Sequence, residues 1–162
     1  MTQAERAREA RRRLKCYSVM VGAIREWEEL AEEEAESMAY GQAGDGARVK
    51  TSSLSDPSAR AAVKAVSEPP SISEARAWCR AISDAWAEMD SCDRDTATVF
   101  AAYFQLHRQQ SGLAWDFRKV SKTMVENCAD LNICQSSFYR KLDDAVDTVM
   151  FHAARAGCYP ER

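Results

Sequence analysis

One apolar stripe in the last third of the chain constrains the fold more than any other feature. Phe138, Leu142, Ala145, Val146, Val149 and Met150 recur at intervals of three and four. That is the period of a helix with one buried face. A polar stretch, Gln135-Ser136-Ser137, opens this helix, and Gly157 stands where a left-handed residue would close it. The side away from the stripe carries Gln135, Ser136, Tyr139, Arg140 and Lys141 near its start. Such side chains hydrogen-bond base edges, phosphates or both. A helix of this kind needs a partner surface for its stripe and leaves a polar face free for function.

The same period runs upstream. Leu14, Tyr17, Met20, Val21, Ile24, Trp27 and Ala31 predict a first helix over about 3–39. Its stripe suits packing on the rest of the chain or a coiled-coil contact with a second copy, and the sequence leaves both open. Gly41, Gly44 and Gly46 with Thr51, Ser52, Ser53 and Ser55 mark a flexible linker. A short helix is expected over 57–67, ending before Pro69-Pro70. Ser71 or Ser73 can cap the next, whose stripe is Ala75, Trp78, Cys79, Ile82, Trp86 and Met89. Asp93 or Asp95 begins another, with Val99, Phe100, Tyr103, Phe104 and His107 inward and Gly112 as its stop. A helix from Trp115 to Cys128 follows, burying Phe117, Val120, Met124 and Cys128, and Leu131-Asn132-Ile133 turns into the last. No strand pattern emerges. The expected fold is all-α: a long N-terminal helix (1–40), a flexible linker (41–56) and a C-terminal helical domain (57–158). That domain ends in a helix-turn-helix at about 115–156.

Charge narrows the function. The net charge of −3 argues against a generally basic coat, but its distribution is uneven. Arg6, Arg8, Arg11, Arg12, Arg13 and Lys15 crowd the first residues, Glu26 to Glu36 follow as an acidic run, and Arg108 to Lys141 is again basic. Contact with a polyanion would therefore be local. The basic start could be a DNA arm, although segregation of charge along a helix also suits antiparallel self-association. No apolar run reaches membrane-spanning length and no secretory signal opens the chain, so no membrane contact and a cytoplasmic location are expected.

Catalysis and metal binding find little in the sequence. Cys16, Cys79, Cys92, Cys128, Cys134 and Cys158 contain no CxxC pair, and His107 and His152 lie on apolar stretches. Zinc sites of the finger type need close ligand pairs, because one tight turn must aim two ligands at one ion. The cysteines read instead as small buried hydrophobes. No phosphate-binding loop or nucleophile-base motif occurs. Neither a cofactor nor an enzymatic activity is expected.

What remains is the pair of helices flanking residues 131–133. Helix, short turn, helix, with apolar Ile133 in the turn and short polar side chains opening the second helix, is the pattern of a helix-turn-helix. The helix amides and dipole at that start favour an anion. Arg118, Lys119 and Lys122 on the supporting segment suit phosphate contacts, and equally suit the solvated surface of a bundle. Arg140 and Lys141 could likewise form helical ion pairs with Asp143 or Asp144. Trp78, Trp86 and Trp115 read as core.

The order of motifs resembles the ArpU/RinA-type phage transcriptional regulators. It is carried by the linker, then Leu54-Ser55-Asp56-Pro57-Ser58-Ala59, a helical pair, Trp115, and Ser136-Ser137-Phe138-Tyr139-Arg140 followed by Ala145. The resemblance covers about 50–150 and implies a helix-turn-helix like that of sigma-factor region four, acting on double-stranded promoter DNA to control late prophage genes. It implies that Gln135, Ser136, Ser137, Tyr139, Arg140 and Lys141 fall in the recognition segment, with Phe138 and Ala145 on its packed face. Cys134 stands where the family carries a capping Ser. The segment from Trp115 to Phe138 is longer than in the family, and Asp143, Asp144 and Asp147 follow the DNA-facing turn. RNA polymerase and a second copy, joined through the N-terminal helix, are candidate further partners. The competing expectations are a helical adaptor that binds polymerase or a sigma factor without reading DNA, and a small DNA-packaging subunit.

Overall fold

The structure, a computed structural model, describes residues 1–41, 68–110, 112–120 and 122–159. The linker and the helix expected over 57–67 lie outside the described residues. Those described form six helices and one hairpin: α1 (Gln3–Lys15), α2 (Tyr17–Gly41), α3 (Pro70–Cys92), α4 (Arg94–Phe104), β1 (Leu106–Gln109), β2 (Gly112–Trp115), α5 (Met124–Asp130) and α6 (Gln135–Arg155). The fold is mostly helical, as the periodicity predicts.

The central element is α6. Phe138, Leu142, Ala145, Val146, Val149 and Met150 are all buried, so the stripe that dominates the sequence is also the core of the molecule. Full burial of a side chain such as Phe138 or Val149 contributes about 1.5–3 kcal/mol. Helix α3 supplies the facing surface with Ala75, Trp78, Ile82 and Met89. It runs antiparallel to α6: Trp78 meets the Tyr159 ring edge-on at 5.5 Å, Glu88 Oε2 lies 2.7 Å from His152 Nε2, and Asp93 at the far end faces Lys141. Helix α4 crosses the first turns of α6, bringing Tyr103 to 6.1 Å from Phe138.

The N-terminal stripe packs on its own chain. Ala10, Leu14, Tyr17 and Met20 are buried in the same core, and the Tyr17 hydroxyl donates to the Leu113 carbonyl at 2.5 Å. The single helix expected over 3–39 is divided at Cys16, whose N–H is shared between the carbonyls of Arg12 and Arg13. The apolar period carries across the division, so α1 and α2 bury one continuous stripe while resting on different partners, α6 and α3.

Capping chemistry explains several boundaries. Asp93 caps α4 by accepting from the Thr96 N–H at 3.1 Å. Gly157, at φ 70°, follows the end of α6 as expected. Pro69 occupies the position before α3 with Pro70 in its first turn, so neither Ser71 nor Ser73 caps it.

Two expectations fail between residues 105 and 123. Gln105 adopts a left-handed conformation (φ 55°) and closes α4, so His107 lies on β1 and not on a helix. The chain then forms an antiparallel hairpin in which Leu106 pairs with Trp115 and Gln109 with Gly112. Gly112, at φ 128°, takes a backbone conformation costly for any other residue. The helix expected from Trp115 to Cys128 is confined to Met124–Asp130. The Asp116 carboxylate accepts from the Arg118 N–H at 3.0 Å, a local turn that competes with helix formation. Helix begins only where Thr123 and Glu126 form a reciprocal capping box. Phe117 and Val120, expected inward, are therefore 88% and 81% exposed. No described helix is long and apolar enough to cross a membrane.

Candidate nucleic-acid interface

The site is built on α5, the turn Leu131–Cys134 and the first two turns of α6. Asn132 takes a left-handed conformation (φ 51°), and Ile133 donates to the Cys128 carbonyl at 3.1 Å while packing against the core. This fixes α5 against the start of α6. The α5–turn–α6 unit thus spans 124–155, shorter at its supporting side than the sequence suggests.

Cys134 occupies the cap position of α6, and its side chain makes no capping bond of full geometry. Its sulfur sits 3.2 Å from the hydroxyls of both Ser136 and Ser137. Those two hydroxyls, followed by the Ser137 amide, lower the thiol to about 7, so it is substantially thiolate near neutral pH. A serine there would be neutral. Cysteine places partial negative charge at the same helix end that would receive a phosphate.

Gln135, Ser136, Tyr139 and Arg140 are exposed on the first two turns, and Ser137 is half-buried among them. Arg140 forms no ion pair among the described residues. Its guanidinium stands ready for a guanine edge or a phosphate. Phe138 anchors the segment from beneath, its ring 6.5 Å from that of Tyr139. Lys141 points elsewhere. Its ammonium lies 3.5 Å from Asp93 and 3.6 Å from Asp95 at the start of α4, leaving the side chain 19% exposed.

The three cations expected on a supporting helix do not lie on one. Arg118 and Lys119 belong to the irregular stretch after β2, and Lys122 is held at 2.5 Å by Asp130. Lys119 and Lys122 line an open cleft of about 400 Å³ with Trp86, Arg94, Asn127 and Asp130, behind α5. They are not gathered with Arg140 on the α6 face.

Acidic residues limit how far along α6 a polyanion could lie. Asp144 and Asp147 are exposed and share the outer face with Arg140, one and two turns further on. Asp143 differs: Arg11 of α1 meets it at 2.6 Å. Nothing in sequence spacing joins the basic N-terminus to the acidic stretch of α6. The joining contact lies 132 residues apart in sequence.

Among the described residues no group of three or more His, Cys, Asp or Glu side chains is placed to hold a metal ion. No protein-family model, curated protein or solved structure matches this chain.

Proposed function

We propose that the protein binds duplex DNA through the start of α6 and acts as a transcriptional regulator. The observation carrying this reading is the α5–turn–α6 unit, whose leading turns present Gln135, Ser136, Tyr139 and an unpaired Arg140. A recognition helix enters the major groove N-terminus first, and short side chains there allow close approach to the phosphates. Arg140 is the base-reading candidate, Gln135 and Ser136 hydrogen-bond at the groove, and Tyr139 lies at its rim. Lys141 supports the helix through α4. Arg118, Lys119 and Lys122 are secondary contacts at most. The resemblance to ArpU/RinA-type regulators suggests promoter DNA of late prophage genes as the target.

Selection of bound duplexes from a random pool at one fixed, near-physiological salt concentration tests the reading, since non-specific phosphate binding depends steeply on salt. The native protein should enrich a motif that Arg140→Glu does not. Absence of enrichment by the native protein would overturn sequence-specific binding.

Phe117, Val120 and Val125 give a second reading its footing. All three are exposed within one short stretch, where apolar side chains mark a protein contact more often than a DNA contact. They favour a helical adaptor for polymerase or a sigma factor, which would bind its partner without enriching any DNA sequence.

A further inference from the structure

The Arg11–Asp143 contact sets the position of the other basic side chains of α1 relative to the candidate recognition helix. The two sides of α1 face different ends of α6: Arg13 stacks on Trp78, which itself packs on Tyr159, whereas Arg11 on the other side meets Asp143. The Tyr159 hydroxyl, past the C-terminal end of α6, donates to the Arg6 carbonyl at 3.5 Å, whereas Arg11, further along α1, reaches back to Asp143. The side of α1 that carries Arg11 is therefore the side nearer the start of α6.

The basic residues of α1 fall into two sets. Arg12 is bonded to Glu9, and Arg13 is held by Glu9 and Glu74 while stacking 5.6 Å from the Trp78 ring centre. Arg8 and Lys15 are exposed and make no ion pair among the described residues. With Arg11 they stand at helical spacing on one side of α1, the side that Arg11 shows to be next to α6. Lys15 lies about one turn, roughly 6 Å, beyond Arg11 on that same side. Arg8 lies about one turn the other way along α1.

We propose that Arg8 and Lys15 form a second contact with the same duplex, holding the phosphate backbone that flanks the groove entered by α6. This rests on the DNA-binding reading above and extends it to a surface the helix-turn-helix does not contain. The charge arrangement favours this occupant. Among the described residues the outer face of α6 sets Arg140 and, at its far end, Arg155 against Asp144 and Asp147, so that face has no net positive charge of its own to attract a polyanion. Arg11 neutralises Asp143 and bridges the two helices, and with Lys15 and Arg8 the combined surface becomes net positive. Because the apolar side of α1 (Ala10, Leu14) is buried in the core, the stripe is rigidly placed and is no flexible arm.

The test is an Arg8→Ala, Lys15→Ala double variant of the full chain, compared with the native protein on the duplex the native protein enriches. Neither residue touches the core, and an unchanged circular dichroism melt checks that the fold is kept. Each phosphate contact contributes about 0.9 to the slope of log affinity against log salt, so losing two should flatten it by about 1.8 while leaving the enriched motif the same. An unchanged slope and affinity, with the native protein still binding its motif, would overturn this proposal alone. If the native protein enriches no motif, the DNA reading fails and this contact with it.

Discussion

Arg11 on α1 and Asp143 on α6 meet at 2.6 Å, and this one ion pair decides how the two ends of the chain combine electrostatically. Both side chains remain well exposed, at 46% and 63%, so the pair contributes no more than about 1 kcal/mol to stability. Its larger effect is on the field beside Arg140. Asp143→Asn removes a carboxylate from the side proposed to face the duplex and releases Arg11. We expect affinity for duplex DNA to rise by up to roughly tenfold, about 1.4 kcal/mol, with the urea midpoint nearly unchanged. Arg11→Glu should act in the opposite direction. Fluorescence anisotropy at fixed salt reads both, and a Asp143→Asn variant that binds more weakly would refute the assignment of this face.

A second expectation concerns the N-terminus. Leu14 is fully buried, and Tyr17 is tied to the hairpin through Leu113. The first turns of α2 therefore belong to the same core as α3 and α6. Leu14→Ala should cost about 2–5 kcal/mol in urea unfolding, because it opens a cavity among close-packed neighbours. Removing residues 1–24 should abolish the cooperative transition. A truncated protein that unfolds cooperatively with a native near-ultraviolet spectrum would show that the remaining helices form a core without α1.

Helical period made most of the fold legible. The stripes of α3 and α6, the Val99, Phe100 and Phe104 part of the α4 stripe, the Asp93 cap and the Gly157 terminus all follow from residues within a few positions of one another, where sequence spacing translates directly into a shared face, whereas Tyr103 of α4 is exposed. The hairpin did not, because Leu106-His107-Arg108-Gln109 shows no strict alternation, and its inward residues are recognisable only once Leu113 lies opposite. Phe117 and Val120 kept helical spacing while the Asp116 turn prevented helix. The candidate interface was legible for Gln135 to Arg140, which one helix carries. The approach of Lys141 to Asp93 and Asp95 is not legible, because those carboxylates lie at the start of another helix, and the Arg11–Asp143 contact is invisible for the same reason.

Gly112 offers a test of the hairpin. At φ 128° any side chain is strained, and a Cβ added there would stand 3.0 Å from the Ser83 hydroxyl oxygen. Gly112→Ala should destabilise the protein by about 1–3 kcal/mol from backbone strain. Combining it with Ser83→Ala relieves the contact and leaves the strain, so the double variant should recover only part of the loss. Full recovery would mean that the close contact, and not the backbone conformation, required glycine.

The last expectation is a pH profile. The Ser136 and Ser137 hydroxyls, with the Ser137 amide, hold the Cys134 thiol down to about 7, whereas burial pushes Cys79 up to about 11. A lowered thiol value means the reactive thiolate gains population as pH rises through 7 and loses it below. Iodoacetamide should therefore label Cys134 first, with a rate that climbs about tenfold between pH 6 and pH 8 and then levels off. Cys79 should stay inert over that range in the folded protein. Replacing Ser136 and Ser137 together by alanine removes both hydroxyl partners, so the midpoint should move up toward an ordinary thiol, near 8.5. Peptide mapping after a timed pulse reads each site separately. A Cys134 midpoint already near 8.5 in the native chain would mean that the hydroxyls do not bond the sulfur in solution, and the start of α6 would then carry no thiolate to compete with a phosphate.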